Sequence, residues 1–158
     1  MGQGLSLAVG CCLALRQLGN SESRCFVVLG DGECDEGSVW EAAMSAAHFG
    51  LGNLCAVVDA NGLQYDGSID EIMSLGDLPE KWRAFGWDVE QVDGHDFGQL
   101  VPALARTSDK PRAVIAYTVK GKGAEFAEGA ASWHNARLTQ ALYNEAVMGL
   151  AGCQGVVA

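Results

Sequence analysis

Apolar positions along this chain recur with two periods, and the period switches several times. From Leu5 to Leu18 they follow a helix face, which Gly19-Asn20 ends. Arg24 to Leu29 is a short apolar run of strand type, and Asn53 to Asp59 is another. Between them Gly37 to Phe49 has helical spacing and is closed by Gly50. Asn61 to Leu78 reads as a loop with a short helical turn near residues 69–73. Pro79 to Phe85 predicts a helix with proline in its first turn. Trp87 to Val92 alternates as a strand, Phe97 to Thr107 is helical, and Arg112 to Val119 is a strand containing β-branched residues. Gly121 to Gly129 is a glycine-rich flexible loop. A last helix spans Leu138 to Leu150, with Leu138, Leu142, Tyr143 and Val147 near helical spacing. Strands alternating with helices predict an α/β fold, a parallel sheet with helices on both faces and right-handed crossovers. Residues 1–158 are read as a single domain.

Composition narrows the function. At 158 residues, 49% hydrophobic and 19% charged, the chain can bury a globular core. A net charge of −10 argues against nucleic acid and against anionic membrane surfaces as partners. The apolar stretch from Leu5 to Leu15 has no basic residue before it, and Arg16 and Gln17 interrupt it too early for a membrane span. Six cysteines (Cys11, Cys12, Cys25, Cys34, Cys55, Cys153) include no C-x-x-C pair and lie mostly in apolar segments. That usage fits buried free thiols in a reducing cytoplasm.

Candidate chemistry is concentrated in residues 30–63. One predicted strand runs into Gly30-Asp31-Gly32 and the next into Asp59-Ala60-Asn61. As parallel neighbours they would bring Asp31 and Asn61 together at the carboxyl edge of the sheet, where open α/β folds bind ligands. One carboxylate and one amide oxygen suit a hard cation, Mg²⁺ or Ca²⁺, that keeps room for phosphate oxygens. The glycines would let a diphosphate approach the backbone closely. Taken singly, an Asp after a strand is more often a helix N-cap, and Asn61-Gly62 an ordinary tight turn. Their combination at two successive strand ends is the informative signal. An aspartate-based phosphatase would need Asp two residues after Asp31, where Glu33 stands. A nicotinamide fingerprint would need glycine at position 35, which is Asp35.

Gly30-Asp31-Gly32 followed 30 residues after Asp31 by Asn61 resembles the thiamine diphosphate signature. The wording from Gly30 to Ala43, GDGECDEGSVWEAA, resembles transketolase, above all the N-terminal subunit of two-subunit transketolases. Gly2-Gln3-Gly4-Leu5-Ser6, Lys120-Gly121-Lys122-Gly123 and Trp133-His134 carry the same resemblance in the same order, from residue 2 to about 150. It implies a thiamine diphosphate cofactor held through Gly30, Asp31, Gly32, Glu33, Asn61, Leu63 and His134. Backbone N–H groups of Gly32 and Glu33, with the start of the following helix, would face the phosphates. Asp31, Asn61 and the backbone carbonyl of Leu63 would hold the metal. His134, after a loop that closes over the site, would move a proton or hold the diphosphate. Glu36 would take part in communication between cofactor sites at a subunit interface. The reaction implied moves a two-carbon ketol unit between sugars or sugar phosphates.

The sequence departs from that pattern in places. Trp133-His134 is followed by Asn135 where the family has glycine. The long segment that usually precedes the G-Q-G motif and the pyrimidine-binding domain are both expected to lie outside this chain. The chain is therefore read as N-terminally shortened, and as acting with a separate pyrimidine-binding subunit. Two alternatives stay open: a non-catalytic subunit that stabilises a partner, and a component of a different thiamine diphosphate enzyme. Cys34 is expected to be a packing residue, His48 to lie on a packed helix, and Gly94-His95-Asp96 to form a turn and N-cap.

Overall fold

A computed structural model describes residues 1–153. The elements in chain order are α1 (Gly4–Gln17), β1 (Cys25–Gly30), α2 (Gly37–His48), β2 (Leu54–Ala60), β3 (Leu63–Gln64), β4 (Gly67–Ser68), α3 (Ile69–Ile72), α4 (Leu78–Ala84), β5 (Asp88–Asp93), α5 (Phe97–Ala105), β6 (Arg112–Tyr117) and α6 (Gln140–Cys153). Two 3₁₀ turns, Gly32–Asp35 and Ala131–His134, stand before α2 and α6. Strands β1, β2, β6 and β5 form one parallel sheet in that order. The predicted α/β layering is what the chain adopts.

The two faces of the sheet are covered unequally. Leu29, Leu54, Ala56, Val58, Ala113 and Ile115 point to one face and meet Leu5, Val9 and Cys12 of α1, a stripe at helical spacing. Val39, Ala42, Ala43 and Ala46 of α2 and Trp82 of α4 complete that core. On the other face Cys55, Val92, Val114 and Ala116 pack against Ala103 of α5. That helix covers the β5–β6 side only. Phe26 and Val28 of β1 share the face, since they pair with Cys55 and Val57, yet they are 51% and 70% exposed. Arg112 begins β6 almost fully buried, and its guanidinium holds Glu90 at 2.7 Å and the Arg106 carbonyl at 3.0 Å, fastening the end of α5 to the sheet.

Local chemistry explains most boundaries. Asp77 caps α4 by accepting the Glu80 N–H, and Asp96 caps α5 by accepting the Gly98 N–H, as the His95-Asp96 pair predicted. Two expectations need correction. The segment after Asn61 contains a two-stranded hairpin, β3–β4, whose strands are two residues each and too short to show a period. The loop after β6 is internally bonded: Gly129 N–H donates to the Lys120 carbonyl at 2.9 Å, and Ala127 is buried. The apolar face of α6, which begins at Gln140 and not at Leu138, is largely uncovered, with Tyr143 and Val147 about half exposed. Among the described residues, no helix is long and apolar enough to cross a membrane.

Candidate functional site

β1 and β2 lie side by side in parallel, with Gly30 opposite Asp59, so their carboxyl ends open at one sheet edge. The Asp31 N–H donates to the Asp59 carbonyl at 3.1 Å and extends the ladder by one bond. The chain then turns at once into the Gly32–Asp35 3₁₀ turn, which leaves the Asp31 side chain pointing across the edge. Its Oδ1 accepts the Gly32 N–H at 2.8 Å, so Asp31 does serve as an N-cap. Its Oδ2 accepts the Gly62 N–H at 2.6 Å, which brings the Asn61-Gly62 turn into contact with it. Asn61 turns its own oxygen onto the Leu63 N–H at 3.0 Å, folding the chain into the β3–β4 hairpin.

Asp31 is 5% exposed and, among the described residues, has no salt-bridge partner. Burial holds its carboxyl above the ordinary aspartate range; the Gly62 and Gly32 N–H groups pull the other way, and the neighbouring Asp59 adds to the rise. A buried carboxylate beside a second carboxylate, with no cation, is an arrangement that a divalent ion would relieve. Asn61 and the Leu63 backbone lie in the same turn, so the residues present fit a hard cation with open positions for phosphate oxygens. Among the described residues no three His, Cys, Asp or Glu side chains gather, so a metal here would depend on amide, carbonyl and ligand oxygens.

Two clefts flank this pair. Asp31 and Gly62 border one of about 610 Å³ that reaches Leu75, Arg83 and Tyr117. Asn61 and Asp59 border another of about 550 Å³ together with Thr118, Lys120 and His95. The Thr118 hydroxyl donates to Asp59, tying the end of β6 to the edge. His95 accepts the Val119 N–H at 2.8 Å and so anchors the start of the following loop.

Glu33 uses its side chain as well as its position. Its two oxygens accept the Gly2 N–H at 2.7 Å and the Gly30 N–H at 3.3 Å, clamping Gly2-Gln3-Gly4 to the turn. Ser38 donates to the Gly2 carbonyl at 2.9 Å. Gly2 has φ +79°, and a Cβ there would sit 2.7 Å from the Cβ of Glu36 and from the Ser38 oxygen, so only glycine fits. Glu36 itself is exposed, stands at the N-cap of α2 without a side-chain capping hydrogen bond, and lies beside Gly2 rather than at the Asp31–Asn61 pair. Gly32 is closed from above by Gln64, whose Cβ would be 2.8 Å from a Cβ at position 32. Cys34 is fully buried, its thiol pushed up to about 12 by burial, so it packs rather than reacts. Trp40 fastens that turn to α2 by donating to the Cys34 carbonyl at 2.7 Å.

His134 ends the Ala131–His134 turn, exposed, with its Nδ1 3.4 Å from the Lys120 ammonium and its ring edge-on to Tyr65. Residues from three separate segments thus gather around one sheet edge. His48 lies on α2, which packs into the core as expected, but its own side chain is exposed and stands edge-on to Phe49, away from this group. Asp59, Thr118, Gln64 and Tyr65 were not legible as site residues. For Asp59 the signal was available in the Asp59-Ala60-Asn61 strand end, whereas Tyr65 has none without the hairpin.

Residues 1–149 match the family described as "Transketolase, thiamine diphosphate binding domain". The chain belongs to the transketolase family. Among its relatives, the 6-deoxy-6-sulfo-D-fructose transketolase subunit SqwG of a Clostridium species is 44% identical over 150 residues, covering 93% of this chain and 54% of that protein. An apulose-4-phosphate transketolase subunit of Phocaeicola vulgatus is 39% identical over 150 residues, covering 93% and 53%. The crystal structure of transketolase from Campylobacter jejuni superposes with a TM-score of 0.89 at 28% identity, over 96% of this chain and 25% of that one. The chain thus spans about half the length of the curated relatives it matches. Within the family, the match is to the thiamine diphosphate-binding domain, and the chain has the α/β fold expected from its sequence.

Proposed function

We propose that this chain is the diphosphate-binding part of a thiamine diphosphate-dependent transketolase, acting with a pyrimidine-binding partner subunit to move a two-carbon ketol unit between sugars or sugar phosphates. The observation that carries this reading is Asp31, a buried carboxylate that has no salt-bridge partner among the described residues and is in contact with the Asn61-Gly62 turn. In this reading Asp31, the Asn61 amide oxygen and the Leu63 carbonyl hold Mg²⁺ or Ca²⁺. Gly30, Gly32 and Glu33 shape the turn against which the diphosphate would lie; the Gly32 N–H, expected to face the phosphates, is bonded to Asp31 and the Gly30 N–H to Glu33, so in this reading the Glu33 N–H and the start of α2 are left for the phosphates. When bound, thiamine diphosphate supplies a thiazolium carbon able to attack a ketone. Lys120 and His134 bring donors to the open side of the hairpin. His134, with Nδ1 facing an ammonium that can only donate, keeps Nε2 for a proton directed at the ligand. In this reading Glu36 would serve a subunit contact rather than the metal, which its exposed position beside Gly2 supports.

The relatives are named for different sugars, which supports the substrate class and no single sugar. Their designation as subunits supports a partner chain. We read the chain as one domain and place it in the cytoplasm, a setting in which Cys12, Cys34 and Cys55 stay buried and unbridged. The deciding experiment combines the chain with a pyrimidine-binding subunit, thiamine diphosphate, Mg²⁺, a ketose donor and an aldehyde acceptor. Ketol transfer should need both subunits. A loaded complex without transfer would replace this reading with that of a scaffold.

A further inference from the structure

The β3–β4 hairpin and the loop after β6 lie against each other, and one aromatic pair of side chains joins their tips. Leu63-Gln64 pairs antiparallel with Gly67-Ser68, which leaves Tyr65 in the two-residue turn between them. Gln64 packs down onto Gly32, while Tyr65 is 64% exposed, so burial does not account for an aromatic ring at the tip. What the ring meets is His134: the centroids are 5.6 Å apart and the planes 82° to each other, an edge-to-face contact. His134 arrives on a segment that is folded before it reaches the hairpin. Gly129 N–H donates to the Lys120 carbonyl at 2.9 Å, and Phe126 packs on Trp133 at 4.9 Å. Lys120 fixes the other side of the imidazole, 3.4 Å from Nδ1. The ring is therefore held between the loop's own lysine and a tyrosine carried by the turn that begins at Asn61.

We propose that Tyr65 is a positioning residue: its edge-to-face contact latches His134, and with it the loop from Lys120, over the hairpin that carries Asn61 and Leu63. The role rests on the reading of His134 and the metal turn given above. The latch couples cofactor occupancy to loop position, because a ligand that orders the Asn61–Leu63 turn also orders the tyrosine on which His134 sits. Loss of the ring should weaken the retention of thiamine diphosphate with Mg²⁺ by about 3- to 10-fold, the size of one aromatic pair. A phenylalanine, which keeps the ring and discards the hydroxyl, should restore it.

The test uses the full chain with ¹³C-labelled histidine, the His134 signals being assigned by His134→Gln. In Tyr65→Leu the His134 ring resonances should move to the position of an unstacked histidine, and in Tyr65→Phe they should stay. Titration with thiamine diphosphate and Mg²⁺ should show the 3- to 10-fold loss in Tyr65→Leu and less than about 2-fold in Tyr65→Phe. Tyr65 is exposed in a turn, so both variants should melt with the unmutated chain. Unmoved His134 resonances in Tyr65→Leu would refute the contact. Moved resonances with unchanged cofactor affinity would refute the positioning role. An unmutated chain that binds no cofactor with Mg²⁺ even when combined with the pyrimidine-binding subunit would sink the functional reading, and the resonances would still decide the contact separately.

Discussion

Replacing Asp31 by asparagine separates the fold from the metal site, because the two depend on different properties of one side chain. The substitution keeps the shape and removes the charge. In the unliganded chain Asp31 accepts two backbone N–H groups, from Gly32 at 2.8 Å and Gly62 at 2.6 Å. An amide can accept one and must turn its NH₂ toward the other, a mismatch that costs roughly 1–3 kcal/mol. Opposing this is relief of a buried charge. The folded carboxyl is raised above 3.8 by burial first, so its protonated form is favoured in the fold. Its contribution to stability is therefore present below the unfolded value and lost as pH rises through the raised one, leaving the ionised, metal-free site penalised at neutral pH. The two effects partly cancel, and Asp31→Asn should fold with a stability within about 2 kcal/mol of the parent. Its response to ligand should differ completely. Thiamine diphosphate with Mg²⁺ at about 100 times the dissociation constant stabilises the parent by about 2.7 kcal/mol. For a chain of this size that is a rise in Tm of about 5–10 °C. In a thermal shift assay the rise should vanish in EDTA and in Asp31→Asn, and shrink on acidification at a higher pH than an ordinary aspartate would give. An equal rise in EDTA, or in the asparagine variant, would refute the assignment of Asp31 to a metal bridge.

Two further substitutions test the neighbouring parts. His134→Ala in the complete complex should lower ketol transfer by about 10- to 1,000-fold while leaving assembly intact, measured by steady-state kinetics and light scattering; full activity would remove His134 from the mechanism. Glu33→Gln keeps one acceptor for the Gly2 and Gly30 N–H groups and loses a charged one, so urea unfolding should show a loss of about 1–2 kcal/mol. An unchanged midpoint would mean that the clamp does not hold in solution.

The sheet was legible because its strands and helices are long enough to show a period. Val57 and Val58 of β2 and Val114 and Ile115 of β6 sit in near-continuous apolar runs, as strands buried on both faces must. The meeting of Asp31 with Asn61-Gly62 followed from the same pattern, since two parallel strands that end in polar residues must place them at one edge. What stayed hidden depends on contacts between segments far apart in sequence. Glu33 looked like one more residue of the diphosphate turn, whereas its side chain works 31 residues back, on the Gly2 N–H. Tyr65 looked like a loop aromatic, and nothing in a two-residue strand announces a hairpin or says that His134 will stack on its tip. The helical spacing of Leu142, Tyr143 and Val147 predicted α6, and the face they form is largely exposed. Periodicity reports that a face is apolar; it does not say what covers it. The same holds for Phe26 and Val28, which alternate as strand residues should and yet face solvent where α5 stops short. The two uncovered faces differ from the site in one respect. At the site polar groups converge from β1, β2, β6 and two loops, a coincidence that packing alone does not require and that a bound diphosphate and cation would explain.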